Sequence, residues 1–312
     1  MRRILLILTL LAAAACDTTE GLDTTSSGPT GPTSASPGFP VTVTAGNGEV
    51  TIEQRPVRIV SLAPTLTEVL FAIGAGDQVV AVDELSNYPE DAPRTDLSGF
   101  EPNLEAVAAL DPDLVVVSDD FNDIVSALTA VGIPVIHQPA AASLDDTYAQ
   151  IEQLGAATGN PEAAAGLVAS MASEIDDLSG SVEERADPLT YYHELDGSLF
   201  TVTSETFIGE IYGLAGLENI ADAAEGADTL YPQLSAEYII ESDPDLIFLA
   251  DTQCCGESAE TVAARPGWDQ ITAVSSGAVF ALDDDIASRW GPRVVDLLET
   301  IVAATAELGE GG

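Results

Sequence analysis

Two rhythms of apolar and polar residues share this chain. Short continuous apolar runs alternate with longer stretches in which apolar residues recur three and four apart, the marks of buried strands and amphipathic helices. Strands alternating with helices predict an α/β fold whose parallel sheets are covered on both faces. One segment differs: residues 41–54 alternate β-formers with polar residues around Gly46-Asn47-Gly48, a hairpin pattern. Residues 58–62 then read as a buried strand. A helix opens at Pro64 and Thr65, where Thr65 and Glu68 have capping-box spacing. It carries Leu66, Val69, Leu70 and Ile73 on one face and stops at Gly74-Ala75-Gly76. Strands at 79–82, 114–117 and 133–136 and helices at 104–110 and 124–131 complete this half. The plan then returns, with strands at 189–195, 246–250 and 279–282, helices at 207–214 and around 237–240, and a closing helix at 292–307.

One unit occurs in both halves. Asn103-Leu104-Glu105 leads to Asp111-Pro112-Asp113-Leu114, and Ser235-Ala236-Glu237 leads to Asp243-Pro244-Asp245-Leu246, with an apolar run after each. A repeat at so wide a spacing predicts two similar lobes rather than a solenoid, and two lobes imply a ligand cleft between them. The lobes are expected at 41–142 and 188–312, joined by a helical connector at 143–187. Within the connector a helix at 144–157 precedes a second one, capped by Asn160 with Pro161 in its first turn. Running to about residue 185, that helix would be roughly 35–40 Å long, a stiff link that permits only small cleft movements.

The chain opens on Arg2, Arg3 and an apolar run, a secretory signal over residues 1–16 that is too short to span a bilayer. Its end, Ala13-Ala14-Ala15-Cys16, resembles the lipobox of bacterial lipoproteins, in which the cysteine becomes lipidated, although family lipoboxes favour Leu where Ala13 stands. An ordinary signal peptide cut near the same place is the other reading. Residues 17–40, rich in Thr, Ser, Gly and Pro, read as a flexible tether.

Charge narrows the function further. The chain has 52 Asp+Glu against 9 Lys+Arg, no lysine, and a net charge of −43, which excludes nucleic acid as a partner. Cys254-Cys255 is the only cysteine pair, too little for a zinc set, and reads as a local turn rather than a metal or redox site. His137 and His193 are the only histidines, so no metal site is expected, though His193-Glu194 would lie near the cleft mouth. No Gly-x-Ser-x-Gly elbow, phosphate loop or His-Glu-x-x-His occurs. An enzyme is not expected. An exported hydrolase using cleft carboxylates is the alternative, but so many acids make paired carboxylates inevitable by chance.

From about Pro56 onward the chain resembles the substrate-binding proteins of ABC importers for metal chelates. The residues that carry the resemblance are Arg58-Ile59-Val60-Ser61-Leu62-Ala63-Pro64 with Thr67-Glu68, then Asn87-Tyr88-Pro89, the two repeated units, and Arg289-Trp290-Gly291-Pro292-Arg293. The resemblance implies capture of a cobalt- or iron-containing chelate, a corrinoid first, a ferric siderophore next and haem third, with no permanently bound cofactor. A haem or free Zn/Mn receptor or chaperone is the alternative. It also implies an ABC permease dimer with its ATPase subunits as partner, docked through Glu105 and Glu237, and a monomer lipid-anchored through Cys16 to the outer face of the cytoplasmic membrane. Loops at the C-terminal ends of the strands would line the cleft. They carry Pro64, Thr65, Tyr88, Phe100 and Phe121 from the first lobe, and Glu194, Glu205, Asp251, Arg289 and Trp290 from the second. Each aromatic also has a plain core reading, and Arg289 has a salt-bridge reading beside its ligand role.

Overall fold

The computed structural model describes residues 38–183, 185–224 and 229–309; the signal, Cys16 and nearly all of the tether lie outside them. The chain begins with an antiparallel hairpin, β1 (Val41–Ala45) and β2 (Gly48–Ile52), whose register pairs Ala45 with Gly48 across Gly46-Asn47. The hairpin tip docks on the first lobe. A Cβ on Gly46 would sit 2.8 Å from Pro139 Cδ, so only glycine allows that approach.

The first lobe holds β3 (Ile59–Ser61), α1 (Pro64–Ala72), β4 (Val79–Val82), α2 (Leu104–Ala108), β5 (Leu114–Val117), α3 (Ile124–Ala130) and β6 (Val135–His137). The helices α4 (Leu144–Thr158) and α5 (Pro161–Gly180) follow. The second lobe contains β7 (Thr190–Glu194), α6 (Phe207–Leu214), β8 (Glu218–Asn219), α7 (Ala236–Ser242), β9 (Leu246–Leu249), α8 (Thr252–Cys255), α9 (Ala259–Ala263), α10 (Thr272–Ser276), β10 (Val279–Ala281), α11 (Asp284–Ser288) and α12 (Val294–Gly309).

Both sheets are parallel and share one topology. The first runs β4-β3-β5-β6 and the second β8-β7-β9-β10, so each lobe orders its strands second, first, third, fourth. The central strands β5 and β9 are buried along their whole length. On β5, Val115 and Val117 face one apolar cluster while Leu114 and Val116 face another. That is the signature of a sheet covered on both faces, and it explains the unbroken apolar runs in the sequence.

The repeated Asp-Pro-Asp-Leu has a structural cause. The first aspartate turns the chain after the preceding helix in the left-handed region, at φ 48° for Asp111 and 47° for Asp243. The second fastens the neighbouring strand's entry. Asp113 accepts hydrogen bonds from the Val57 and Arg58 amides at 2.9 Å, and Asp245 from the Thr190 amide at 2.9 Å. The same carboxylate therefore sets the β3–β5 register in one lobe and β7–β9 in the other.

Some local expectations fail. At α1 the cap position is Ala63, with no side-chain cap; Thr65 and Glu68 lie inside the helix and are buried. Asn160 does hold the cap position of α5, with Pro161 next, but makes no side-chain cap bond: its amide donates to Thr158 and its oxygen accepts from Arg55. The connector is a helical hairpin rather than one long rod. At Gly155 an added Cβ would meet the Ala164 Cβ at 2.3 Å, so α4 and α5 pack backbone to backbone. α5 stops at Gly180, about 30 Å from its start. Helix propensity runs out there in Ser179-Gly180-Ser181, and the Ser181 hydroxyl donates to the Leu178 carbonyl.

One apolar cluster runs without a break from the first sheet (Ile59, Leu114) through α4 and α5 (Ile151, Leu154, Met171, Ile175) to α12 and the second sheet (Leu298, Ile301, Phe248). This shared core, more than helix stiffness, holds the lobes together.

Candidate functional site

In a sheet whose strand order reverses between its first and third strands, the crevice lies beyond the carboxyl ends of those strands. Here these are β3 and β5, and the residues that follow them, Pro64, Thr65, Ser118 and Asp119, line a cleft of about 500 Å³. Asp285, Arg289 and Trp290 close it from the second lobe. A larger hollow of about 660 Å³ borders the C-terminal ends of α5 and α6, away from these strand ends.

One part of the cleft wall is aromatic and apolar. Phe100 and Phe121 are 61% and 40% exposed, with ring centroids 5.8 Å apart, and half-exposed Leu85 lies beside them. Exposed aromatics gathered in a concavity mark a binding surface rather than a core. Gly99 seats Phe100 there, because a Cβ at that position would come within 2.6 Å of the Leu62 carbonyl. Trp290 is half-buried and donates from Nε1 to Gln150 at 2.9 Å, which fixes its indole.

Beneath the wall runs a polar ladder that the sequence did not signal. Thr67 Oγ1 donates to Ser61 Oγ at 2.9 Å and lies 2.8 Å from Ser86 Oγ, which in turn donates to Asp83. Asp83 is buried, and desolvation raises its pKa against the lowering effect of the Ser86 bond. The ladder ties the loop after β4 to α1 and so fixes the cleft floor.

Arg289 lines the cleft, yet its terminal nitrogens are committed to the protein. Nη1 donates to Glu68 at 2.8 Å and Asn87 at 3.0 Å; Nη2 donates to the Leu85 carbonyl at 3.2 Å and Asp285 at 2.5 Å. Arg293 adds two bonds to Glu68, at 2.9 and 2.6 Å. Buried Glu68 thus joins α1 of the first lobe to two arginines of the second, and Arg289 is an interlobe tie. Tyr88, expected in the cleft, instead lies under the Arg293 guanidinium at 4.4 Å, outside the lining. Glu205 is exposed in the loop before α6 and is not among the lining residues.

Other second-lobe candidates turn inward. Glu194 is fully buried and takes both Arg265 nitrogens at 2.6 Å, while Arg265 stacks on Trp268. Asp251 is also buried, with neither carboxyl oxygen hydrogen-bonded. His193 belongs to β7 and is wholly buried rather than at the cleft mouth; its Nδ1 is 2.8 Å from the Tyr212 hydroxyl. His137 contacts the Ser118 carbonyl through Nε2. Among the described residues, no group of three or more His, Cys, Asp or Glu is arranged to hold a metal. Cys254 and Cys255 form a disulfide within the single turn of α8, whose amides converge on Asp284.

Glu105 and Glu237 occupy equivalent positions. Each is exposed and second in a helix capped by the residue two before it, Asn103 accepting from Ala106 N and Ser235 from Tyr238 N. Each helix leads directly into a central strand, so its N-terminus lies at the sheet edge where the strands end. Neither carboxylate has a hydrogen-bond or ion-pair partner among the described residues. Arg94 was missed by sequence reasoning. It lines the cleft and is exposed, and the scarcity of cationic residues in the sequence is the signal that could have found it.

Comparison with known proteins agrees with the two-lobe α/β fold. A family model described as periplasmic binding protein matches residues 59–286. An uncharacterized ABC transporter substrate-binding lipoprotein of Bacillus subtilis is 32% identical over 84% of this chain and 84% of its own length. A cobalamin-binding protein of Halobacterium salinarum is 34% identical over 83% of this chain and 72% of its own. The crystal structure of a periplasmic vitamin B12 binding protein of Vibrio cholerae superposes with a TM-score of 0.66 at 27% identity, covering 80% of this chain and 96% of that one.

Proposed function

The chain belongs to the periplasmic binding protein family, and we propose that it is the extracytoplasmic receptor of an ABC importer for a metal chelate, a corrinoid first among them. The observation that carries this reading is the cleft wall: two exposed aromatics and a held indole offer flat apolar contact to a macrocycle. The corrinoid choice draws on the printed functions of the Halobacterium and Vibrio relatives. Receptors bind and release without chemistry, and the cleft needs no catalytic group to do so.

Capture proceeds on a preset surface. The shared core and the Glu68 tie limit lobe movement, so little ordering cost accompanies binding. Delivery follows by docking on a two-fold permease with its ATPase subunits. Glu105 and Glu237, one per lobe and equivalently placed, would each meet a permease arginine, a charge-assisted pair that fixes orientation. The receptor acts as a monomer tethered through lipidated Cys16, which keeps it near the permease.

Corrinoid uptake in the source organism tests delivery. The Glu105→Ala/Glu237→Ala double variant should abolish uptake while its corrinoid affinity stays unchanged. Normal uptake by that variant would refute the docking role.

A further inference from the structure

We infer that Arg94 reads a single anionic group on the chelate, which in a corrinoid is the phosphodiester of the nucleotide loop. The inference rests on the chelate-receptor reading and goes beyond it by assigning the anionic subsite and the residue that sets specificity.

The argument begins with the other arginines. Arg55, Arg58 and Arg185 donate to backbone carbonyls, of Thr158, of Leu110 and Asp111, and of Thr305. Arg265, Arg289 and Arg293 pair with carboxylates at 2.5–2.9 Å. Only Arg94, among the described residues, has a guanidinium with neither an ion pair nor a hydrogen bond. In a chain with 52 acids and no lysine, an unpaired guanidinium stands out. It lines the same cleft as Phe100 and Phe121. An unpaired guanidinium keeps its donors for a ligand oxygen anion, and its planar fork suits a phosphodiester or carboxylate in two-point contact.

The same lining limits how much negative charge the ligand can carry. Glu84 and Asp119 face the cleft with Arg94, and Asp285 is already paired with Arg289. One anion opposite Arg94 is matched; a second would meet carboxylates. A corrinoid with its nucleotide loop fits, having one phosphodiester and a rim of neutral amides. A porphyrin with two propionates and a tris-catecholate iron complex do not.

Affinities of the full chain for cyanocobalamin, for cobinamide (the corrinoid without the nucleotide loop) and for hemin test this. Wild type should prefer cyanocobalamin to cobinamide, and hemin should bind most weakly. Arg94→Gln should weaken cyanocobalamin binding about tenfold and erase that preference, the loss being confined to the ligand with the phosphodiester. Arg94→Lys should recover part of it. Unchanged melting temperatures would show that the variants fold. Equal loss for both corrinoids, or no loss for either, would overturn the Arg94 assignment and leave the receptor reading standing. If wild type binds neither corrinoid, the corrinoid choice itself fails and the assignment falls with it.

Discussion

Asp251 and His193 are buried in one lobe and respond oppositely to pH. Burial, reinforced by Glu194 and Glu257, pushes the Asp251 carboxyl from 3.8 up to about 6. Between those values the folded protein keeps a proton that the unfolded chain releases, so stability falls as pH rises through the window and the full cost persists at neutral pH. Asp251→Asn should therefore stabilise the fold at pH 7 by about 1–3 kcal/mol, and the gain should vanish below about pH 4. Urea unfolding at both pH values checks this. Burial lowers His193 from 6.5 to about 3. Here the unfolded chain takes up the proton, so stability is present above 6.5 and is lost as pH drops toward 3. His193→Gln should flatten that acid limb of a melting-temperature profile. In the cleft, Trp290→Ala should weaken corrinoid binding roughly tenfold, measured by calorimetry; unchanged affinity would return the indole to a packing role. Residue roles were the least legible part of the sequence. Phe100, Phe121 and Trp290 were readable because a strand-end position predicts a cleft. Arg289, Glu194 and His193 were not, since only tertiary packing decides whether a polar side chain at a strand end turns outward or finds a buried partner.

The elements themselves were legible wherever burial imposes a period. Continuous apolar runs marked the central strands, and 207–214 matches α6 residue for residue. Ends were less so: Thr65 and Glu68 have capping spacing, but Pro64 already starts the helix and Glu68 is drawn to the opposite lobe. That attraction makes α1, α11 and α12 one mechanical unit. Glu68 accepts from Arg289 and Arg293 with its carboxylate almost wholly buried. Removing one partner of a buried pair leaves uncompensated charge, at a cost of about 3–5 kcal/mol. Glu68→Gln should lower the melting temperature and, with the tie gone, widen the cleft. Thermal unfolding together with small-angle scattering checks both. A variant as stable and compact as wild type would mean that the apolar core alone sets the lobe spacing.

At the scale of the whole molecule, two copies of one strand order face each other across a cleft, and an unbroken apolar core joins them. The Asp-Pro-Asp-Leu repeat foretold this symmetry, and its aspartates prove to be register pins. The exposed Glu105 and Glu237 ride on the same repeat and so acquire matched positions, which the proposed docking on a two-fold permease would use. The chain is strongly acidic, while Phe100, Phe121 and Trp290 give its cleft an aromatic patch for the proposed chelate. Calorimetric titration of the purified protein with cyanocobalamin tests that account most directly. The account expects saturable one-to-one binding with the corrinoid recovered unchanged. Absence of binding, or a chemically altered corrinoid after incubation, would contradict it.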